Sequence, residues 1–228
     1  MFNFKKDAAG IDGWLTEAEG LFLYTTAKTI ESEKAIVEIG SWKGKSTICL
    51  GNGVKEGNKS KIYAIDPHIG SSDHKLRREG DTFEIFKQNI EIAGLNEYIQ
   101  AIKKSSEEAA KNFKEQIGFI FIDGGHEYKF ASLDFKLWFP KIADGGVIAF
   151  HDSWHRAGPS LVTTFVLLTS SRIQGVKLID RITYFKKVQK NSLIERIQNI
   201  CFLIYRPILA IGIVMKFIKL KRAKGSWQ

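Results

Sequence analysis

The chain has 228 residues, 44% of them apolar and 26% charged, which suits one α/β domain with a substantial core and a short appendage. Its formal charge of +9 lies wholly in the tail: residues 186–228 hold ten Lys/Arg and one acid, Glu195, while residues 1–185 carry 24 basic and 24 acidic side chains. That division argues against a nucleic-acid binder built on a basic domain face, so DNA is not expected as a partner. Two cysteines in apolar settings, Cys49 and Cys201, give no sign of a disulfide framework and suit a reducing compartment.

Along the chain, strand-like apolar runs alternate with amphipathic stretches, the pattern of a parallel sheet covered by helices on both faces. A helix is expected around Thr16–Ile30, then a buried strand at 35–40 (AIVEIG), a Gly/Ser-rich turn and a helix from about Lys45. KIYAID (61–66) reads as the second strand and leads into a loop over 67–80, with a helix near Thr82–Ala93 beyond it. YIQAIK (98–103) is the third strand, and the serines at 105 and 106 open a short helix. GFIFID (118–123) and GGVIAFHD (145–152) are the fourth and fifth strands, with a helix near Phe130–Phe139 between them. One more helix follows Gly158, then a strand pair about Asp180-Arg181. The expected fold is a Rossmann-like, doubly wound, mostly parallel seven-stranded sheet over residues 1–188, with an apolar and basic helical extension over 189–228.

Ligands of such sheets bind outside the carboxyl ends of the strands, where the strand order switches. The first strand ends in Glu38-Ile39-Gly40-Ser41-Trp42-Lys43-Gly44-Lys45-Ser46-Thr47. Gly40 and Gly44 let the backbone turn tightly and pass close to a ligand, and the next helix offers free N–H groups at its start. The loop lacks the dinucleotide G-x-G-x-x-G and the P-loop Lys-Ser/Thr spacing, which demotes dehydrogenase and NTPase readings. Asp66, closing the second strand, suits a pair of ribose hydroxyls; its other reading is a turn acid before Pro67.

VEIGSWKGKST, IYAIDP, FIFIDGGHEY and GGVIAFHD, in that order, resemble the class I S-adenosylmethionine (SAM)-dependent methyltransferases. The likeness is nearest to the bacterial small-molecule and sugar O-methyltransferases, the group with macrolide-sugar methyltransferases and cephalosporin-hydroxylase-like proteins, and it runs from about Gly13 to Val188. The resemblance implies that Glu38, Gly40, Ser41 and Gly44 surround the methionine part of SAM, that Asp66 holds the ribose, that Ser106 lies near the adenine, and that Ser46 and Asp123 also bind the cofactor. It also implies an acceptor that is a small molecule bearing a hydroxyl, a sugar or glycoside.

At the reacting end, Asp123 closes the fourth strand and His151-Asp152 the fifth. Two carboxylates in one site repel unless a cation or proton is shared. A hard divalent ion such as Mg²⁺, held by Asp123, His151 and Asp152, is the expected answer, by likeness to metal-assisted relatives. Those relatives present an acid followed by Asp or Asn at the fifth strand; here the pair is His-Asp. His126 stands three residues after Asp123, where catechol-type relatives keep a basic Lys. His126 is therefore the first candidate for general base and His151 the second; the alternative for His126 is a cap on the turn GGHEY. His155 reads as a surface-loop residue, Tyr128 and Trp154 either line the acceptor pocket or belong to the core, and the loop 67–80 (His68, Gly70, Asp73, Gly80) is either a lid or a linker.

Residues 200–218 form the most apolar segment, yet the longest uncharged run is Pro207–Met215, short of the roughly 20 residues a spanning helix needs. Pro207 is expected to break or kink a helix. Apolar surface followed by KFIKLKRAK suits an anchor on an anionic membrane surface, or a lipid-linked glycan acceptor beside it. The alternatives are self-association through residues 192–224, packing on the domain, or an RNA arm with Tyr205 and Trp227. No apolar core follows the lysines of the first twenty residues, so a cytoplasmic protein is expected, peripheral at the inner membrane face if the tail binds lipid. Two further functional readings compete: a catalytically silent SAM-binding scaffold and an RNA methyltransferase. The absence of Asn/Asp-Pro-Pro-Tyr/Phe after the fourth strand disfavours N-methylation.

Overall fold

The computed structural model describes residues 1–70 and 80–223, with side chains to Met215. Seven strands, β1 (Ala35–Ile39), β2 (Ile62–Ile65), β3 (Ile99–Ile102), β4 (Ile117–Ile122), β5 (Ile142–Phe150), β6 (Ile173–Ile179) and β7 (Ile182–Lys187), form one sheet in the order β3-β2-β1-β4-β5-β7-β6. The first five are parallel; β7 runs antiparallel to both β5 and β6.

Strand alternation splits the core in two. Ile36, Ala64, Phe119 and Phe121 face the layer made by α1 (Phe4–Asp7), α2 (Glu17–Lys28), α3 (Lys45–Glu56) and α4 (Phe83–Ile92). Val37, Ile65, Ile120, Ile122 and Phe150 face the other layer, built by α5 (Ser106–Asn112), α6 (Tyr128–Trp138), α7 (Ala157–Thr169) and the start of α8 (Leu193–Ala223). Burial on both faces explains why β1 and β4 read as unbroken apolar runs. Capping boxes start three of the helices: Thr16 with Glu19 on α2, Ser105 with Glu108 on α5, and Ser192 with Glu195 on α8.

Two expectations need correction. The fifth strand begins at Ile142, three residues before the predicted Gly145, because Gly145 (φ +83°) and a register shift against β4 are absorbed within it. The tail is one helix of 31 residues that passes through Pro207. Proline removes one N–H and crowds the preceding turn, but here the helix is pinned in the turns leading up to that loss. Asn199 donates to the Ile173 carbonyl (3.3 Å), and the Arg206 guanidinium donates to Thr163 Oγ1 (3.1 Å), Ser160 Oγ (3.3 Å) and Thr164 Oγ1 (2.8 Å) of α7. As a consequence Leu193–Met215 gives 23 helical residues that include an 18-residue stretch of mean hydropathy 1.7, long and apolar enough to cross a membrane by length and composition.

The sheet reverses its winding between β1 and β4, and there the two backbones nearly touch. A Cβ on Gly40 (φ +88°) would lie 2.3 Å from the Asp123 carbonyl oxygen. Gly40→Ala is expected to lower the unfolding free energy by about 2–5 kcal/mol, left-handed strain plus overpacking. Gly145→Ala, with open space around it, is expected to cost only the strain, about 1–2 kcal/mol. Urea unfolding of the two variants beside the parent chain checks the difference.

Candidate active site

A cavity of about 780 Å³ opens over the carboxyl ends of the strands at this switch point, large enough for a cofactor and a small acceptor. Gly40, Ser41, Ser46, Asp66 and Ser106 line one side; Asp123, His126, His151, Asp152, His155 and Arg181 line the other. Trp14 and Trp42 stack beside it with ring centroids 5.2 Å apart, and Trp14 stays half exposed.

On the first side, the Asp66 carboxylate accepts from the Trp42 N–H (2.8 Å) and the His68 N–H (2.6 Å), so it clamps the loops after β1 and β2 together. Each oxygen keeps a further lone pair for a ligand hydroxyl. Trp42 and His68 both adopt left-handed φ (42° and 57°), conformations that this clamp holds in place. Ser41 Oγ is buried on the cavity wall with no hydrogen-bond partner among the described residues, an unsatisfied group that a polar ligand would satisfy. Ser106 Oγ accepts from Trp138 Nε1 (2.8 Å). Asp134, on α6 beside it, is pushed up to about 6 by burial, with Ser106 opposing.

Two of the expected cofactor residues stand behind the wall. Glu38 is fully buried and bonded by Thr47 Oγ1 (2.5 Å). Burial pushes its carboxyl up to about 8 against hydrogen bonds from Ser46 and Thr47, and the charges of Asp123 and Asp66 add to the rise. Gly44 caps α3 with φ +91°, and its open side faces Phe86 and Ile90 of α4; it shapes the turn and packs the helix. Of the loop 67–80, residues 71–79, Asp73 included, lie outside the described residues. His68 is buried, with Nδ1 3.0 Å from Thr82 Oγ1.

On the second side the charges are arranged by tertiary contacts. His151, fully enclosed, points Nδ1 at Asp123 Oδ1 (2.9 Å) and Nε2 at Glu19 Oε2 (3.5 Å). Burial alone would lower its pKa, but the two carboxylates outweigh burial and raise it to about 10. Glu19, buried on α2, accepts from the Arg181 N–H (2.8 Å) and guanidinium (3.1 Å) as well as from its own cap residue, Thr16. Burial works against its charge, but His151 and Arg181 hold it down at about 2.

Asp152, in the left-handed region at φ 53°, faces His126 Nε2 (3.3 Å), His155 Nε2 (3.3 Å) and the Arg181 guanidinium (3.5 Å). Burial opposes its ionisation, yet His126, His151, Arg181 and His155 keep it well below the usual carboxylate range. His126 itself is positioned by α7: the Gly158 N–H donates to its carbonyl (3.2 Å), and a Cβ on Gly158 would lie 2.2 Å from that oxygen.

These contacts bear on two expected roles. Both ring nitrogens of His151 face carboxylates, Nδ1 toward Asp123 and Nε2 toward Glu19, an arrangement that favours the cationic ring. The carboxylates of Asp123 and Asp152, expected to share a divalent ion with His151, face that ring and the Arg181 guanidinium. Among the described residues no group of three or more His, Cys, Asp or Glu is arranged to hold a metal.

Several placements lay beyond sequence reasoning. His155, expected on the surface, is in the cavity wall, while Tyr128 and Trp154 are not; Trp154 Nε1 bonds the Asp180 carbonyl instead (2.8 Å). Glu19, Arg181, Asp134 and Trp14 went unmarked as site residues. The pattern Thr16-x-x-Glu19 signals a helix cap, and nothing in it says that the same carboxylate reaches β5.

A family model described as a methyltransferase domain matches residues 37–153, just over half of the chain. The chain belongs to this methyltransferase family. An uncharacterized protein of Acanthamoeba polyphaga mimivirus is 29% identical over 132 residues, and one of Sinorhizobium fredii is 25% identical over 122 residues. The matches cover 57% and 53% of this chain, and only 57% and 13% of those two relatives, so the chain spans a part of each. Among solved structures, the O-methyltransferase NovP superposes with a TM-score of 0.66 at 14% identity, over 75% of this chain and 80% of that one. An O-methyltransferase from Bacillus cereus in complex with SAH (S-adenosylhomocysteine) superposes at 0.57 and 18%, over 80% and 86%. At these identities the likeness is one of fold.

The methyltransferase domain thus carries a buried Glu19–His151–Asp123 chain with a defined pH signature. The stability drawn from His151 is complete below its unfolded pKa of about 6.5 and is lost as pH rises towards about 10. That drawn from Glu19 is complete above about 4.5 and is lost as pH falls towards about 2. The gap in melting temperature between the parent chain and His151→Gln is expected to narrow as pH rises from 6.5 towards 10, where the parent loses the contribution of this ring. Glu19→Ala, which removes the buried partner of Arg181 and one of the two carboxylates facing His151, is expected to cost about 3–5 kcal/mol.

Proposed function

We propose that the chain is a SAM-dependent O-methyltransferase whose acceptor is a small hydroxyl compound, a sugar or glycoside. The observation that carries this reading is the two-sided cavity. One side offers an acidic clamp at Asp66 and the unsatisfied Ser41 hydroxyl; the other offers a histidine held by a buried carboxylate. Asp66 suits ribose hydroxyls and repels phosphates, which fits SAM, a nucleoside without phosphate. Gly40, Ser41, Ser46, Asp66 and Ser106 would hold the cofactor, and Asp134 extends the same wall.

When bound, the cofactor supplies a sulfonium methyl group, and its transfer to the acceptor oxygen leaves the thioether SAH. His126 removes the hydroxyl proton. With Nε2 turned to Asp152, the proton is taken at Nδ1, and the Asp152 carboxylate offsets the charge the ring gains. Asp152 is a positioning residue here, itself fixed by Arg181 and His155. The half-exposed Trp14 ring, backed by Trp42 at the cavity mouth, supports a sugar acceptor, since an amphipathic aromatic surface covers the apolar face of such a ring while solvent reaches its hydroxyls.

Calorimetric titration with SAH tests the cofactor half. Micromolar binding to the parent chain, lost in Asp66→Ala, is the expected result; absence of binding to the parent overturns the reading. For the reacting half, His126→Ala is expected to keep SAH affinity and lose about 10²–10⁴-fold in kcat, measured as SAH release over a panel of glycosides. Full activity in that variant would remove His126 from the mechanism, and SAH binding without turnover of any acceptor would favour a silent SAM-binding scaffold.

A further inference from the structure

The long tail helix lacks the polar outer face of a soluble surface helix. Asn199, Phe202, Leu203 and Arg206 fall on one side and meet the domain: Phe202 and Leu203 pack against the core, while Asn199 and Arg206 bond β6 and α7. The opposite side presents Ile197, Ile200, Ile204, Ile208, Ile211 and Met215, all exposed. Exposed Leu161, Phe165 and Leu168 of α7 belong to the neighbouring helix that Arg206 grips. The sequence then continues with Lys216, Lys219, Lys221, Arg222 and Lys224.

We propose that this outer face of α8 is an in-plane anchor that binds the protein to an anionic lipid bilayer surface. Three observations favour a membrane over other occupants. The apolar face is followed directly by five cations within nine positions, and these complement anionic headgroups. A second copy of the chain would bring the same cationic ends onto a shared surface in a parallel pairing, whereas a bilayer accepts face and charge together. The helix also holds an 18-residue stretch of mean hydropathy 1.7, which no solvated surface helix needs.

The helix lies along the surface because its inner side is occupied. Arg206 sits near the middle of the apolar stretch with its guanidinium spent on Ser160, Thr163 and Thr164, and threading the bilayer would strip those bonds and bury the charge in hydrocarbon. Arg206 also reaches the Ser153 carbonyl (3.5 Å), next to Asp152, so the anchor is tied to the loop that holds the reacting end. The anchor itself is independent of methyl transfer.

The test uses the full chain, sedimented with vesicles of phosphatidylcholine alone or mixed with phosphatidylglycerol. Binding to the anionic vesicles is expected, weaker by roughly tenfold or more on neutral vesicles. Ile204→Asp/Ile208→Asp/Ile211→Asp should abolish binding while its melting temperature shows that the domain stays folded. Absence of anionic binding in the parent chain, or undiminished binding in the triple variant, overturns the proposal. Light scattering without lipid covers the rival occupant: a stable dimer that the triple variant dissociates would assign the face to a second copy. Resistance of the membrane-bound chain to alkaline carbonate extraction would overturn the in-plane placement.

Discussion

The interaction on which the rest of the site depends is the buried carboxylate of Glu19. It caps its own helix, accepts two bonds from Arg181 in the β6–β7 turn, and faces His151 at the end of β5. One acid thereby joins the first long helix, the last parallel strand and the terminal hairpin. An ion cluster removed from water is seldom a net gain over apolar packing, because desolvation offsets the attraction. What it supplies here is register. With the ends of three distant segments tied to one point, the loop 151–156 has a fixed position, and Asp152 is held in a backbone region that residues other than glycine rarely adopt.

That fixed charge pattern decides how two histidines of similar sequence context divide their roles. His151 is enclosed between the carboxylates of Asp123 and Glu19, which favour its cationic form. His126 is partly open to the cavity and faces the Asp152 carboxylate, which orients it. The cations that gather around Asp123 and Asp152 also answer the repulsion that a divalent ion would otherwise relieve.

The tail shows how a weak local signal yields to tertiary contacts. Proline in a helix interior costs about 3 kcal/mol relative to alanine, enough to end an isolated helix. Arg206, immediately before it, makes hydrogen bonds to three hydroxyl groups of α7, and Asn199 fixes the turns before it. The helix continues because its inner face is docked, and its outer face is left apolar.

Much of the fold was legible in the order of residues. Strand alternation in IVEI, FIFI and VIAF sorts side chains between two buried layers, and the glycines at 40 and 44 mark a tight turn after β1, because periodicity and φ preference are local properties of a chain. The positions of Asp66, Asp123, His126 and Asp152 at strand ends followed from the same logic, since a parallel sheet gathers its carboxyl ends on one edge. Local order could not say which groups share a charge. Glu19 and Arg181 are 162 residues apart and within hydrogen-bond reach, Glu38 lies behind the cavity wall it was expected to form, and His151 is enclosed between the carboxylates of Asp123 and Glu19. Each of these is set by distances between segments remote in sequence, and an ionisable group's state depends on those distances and on burial, which only the assembled structure specifies.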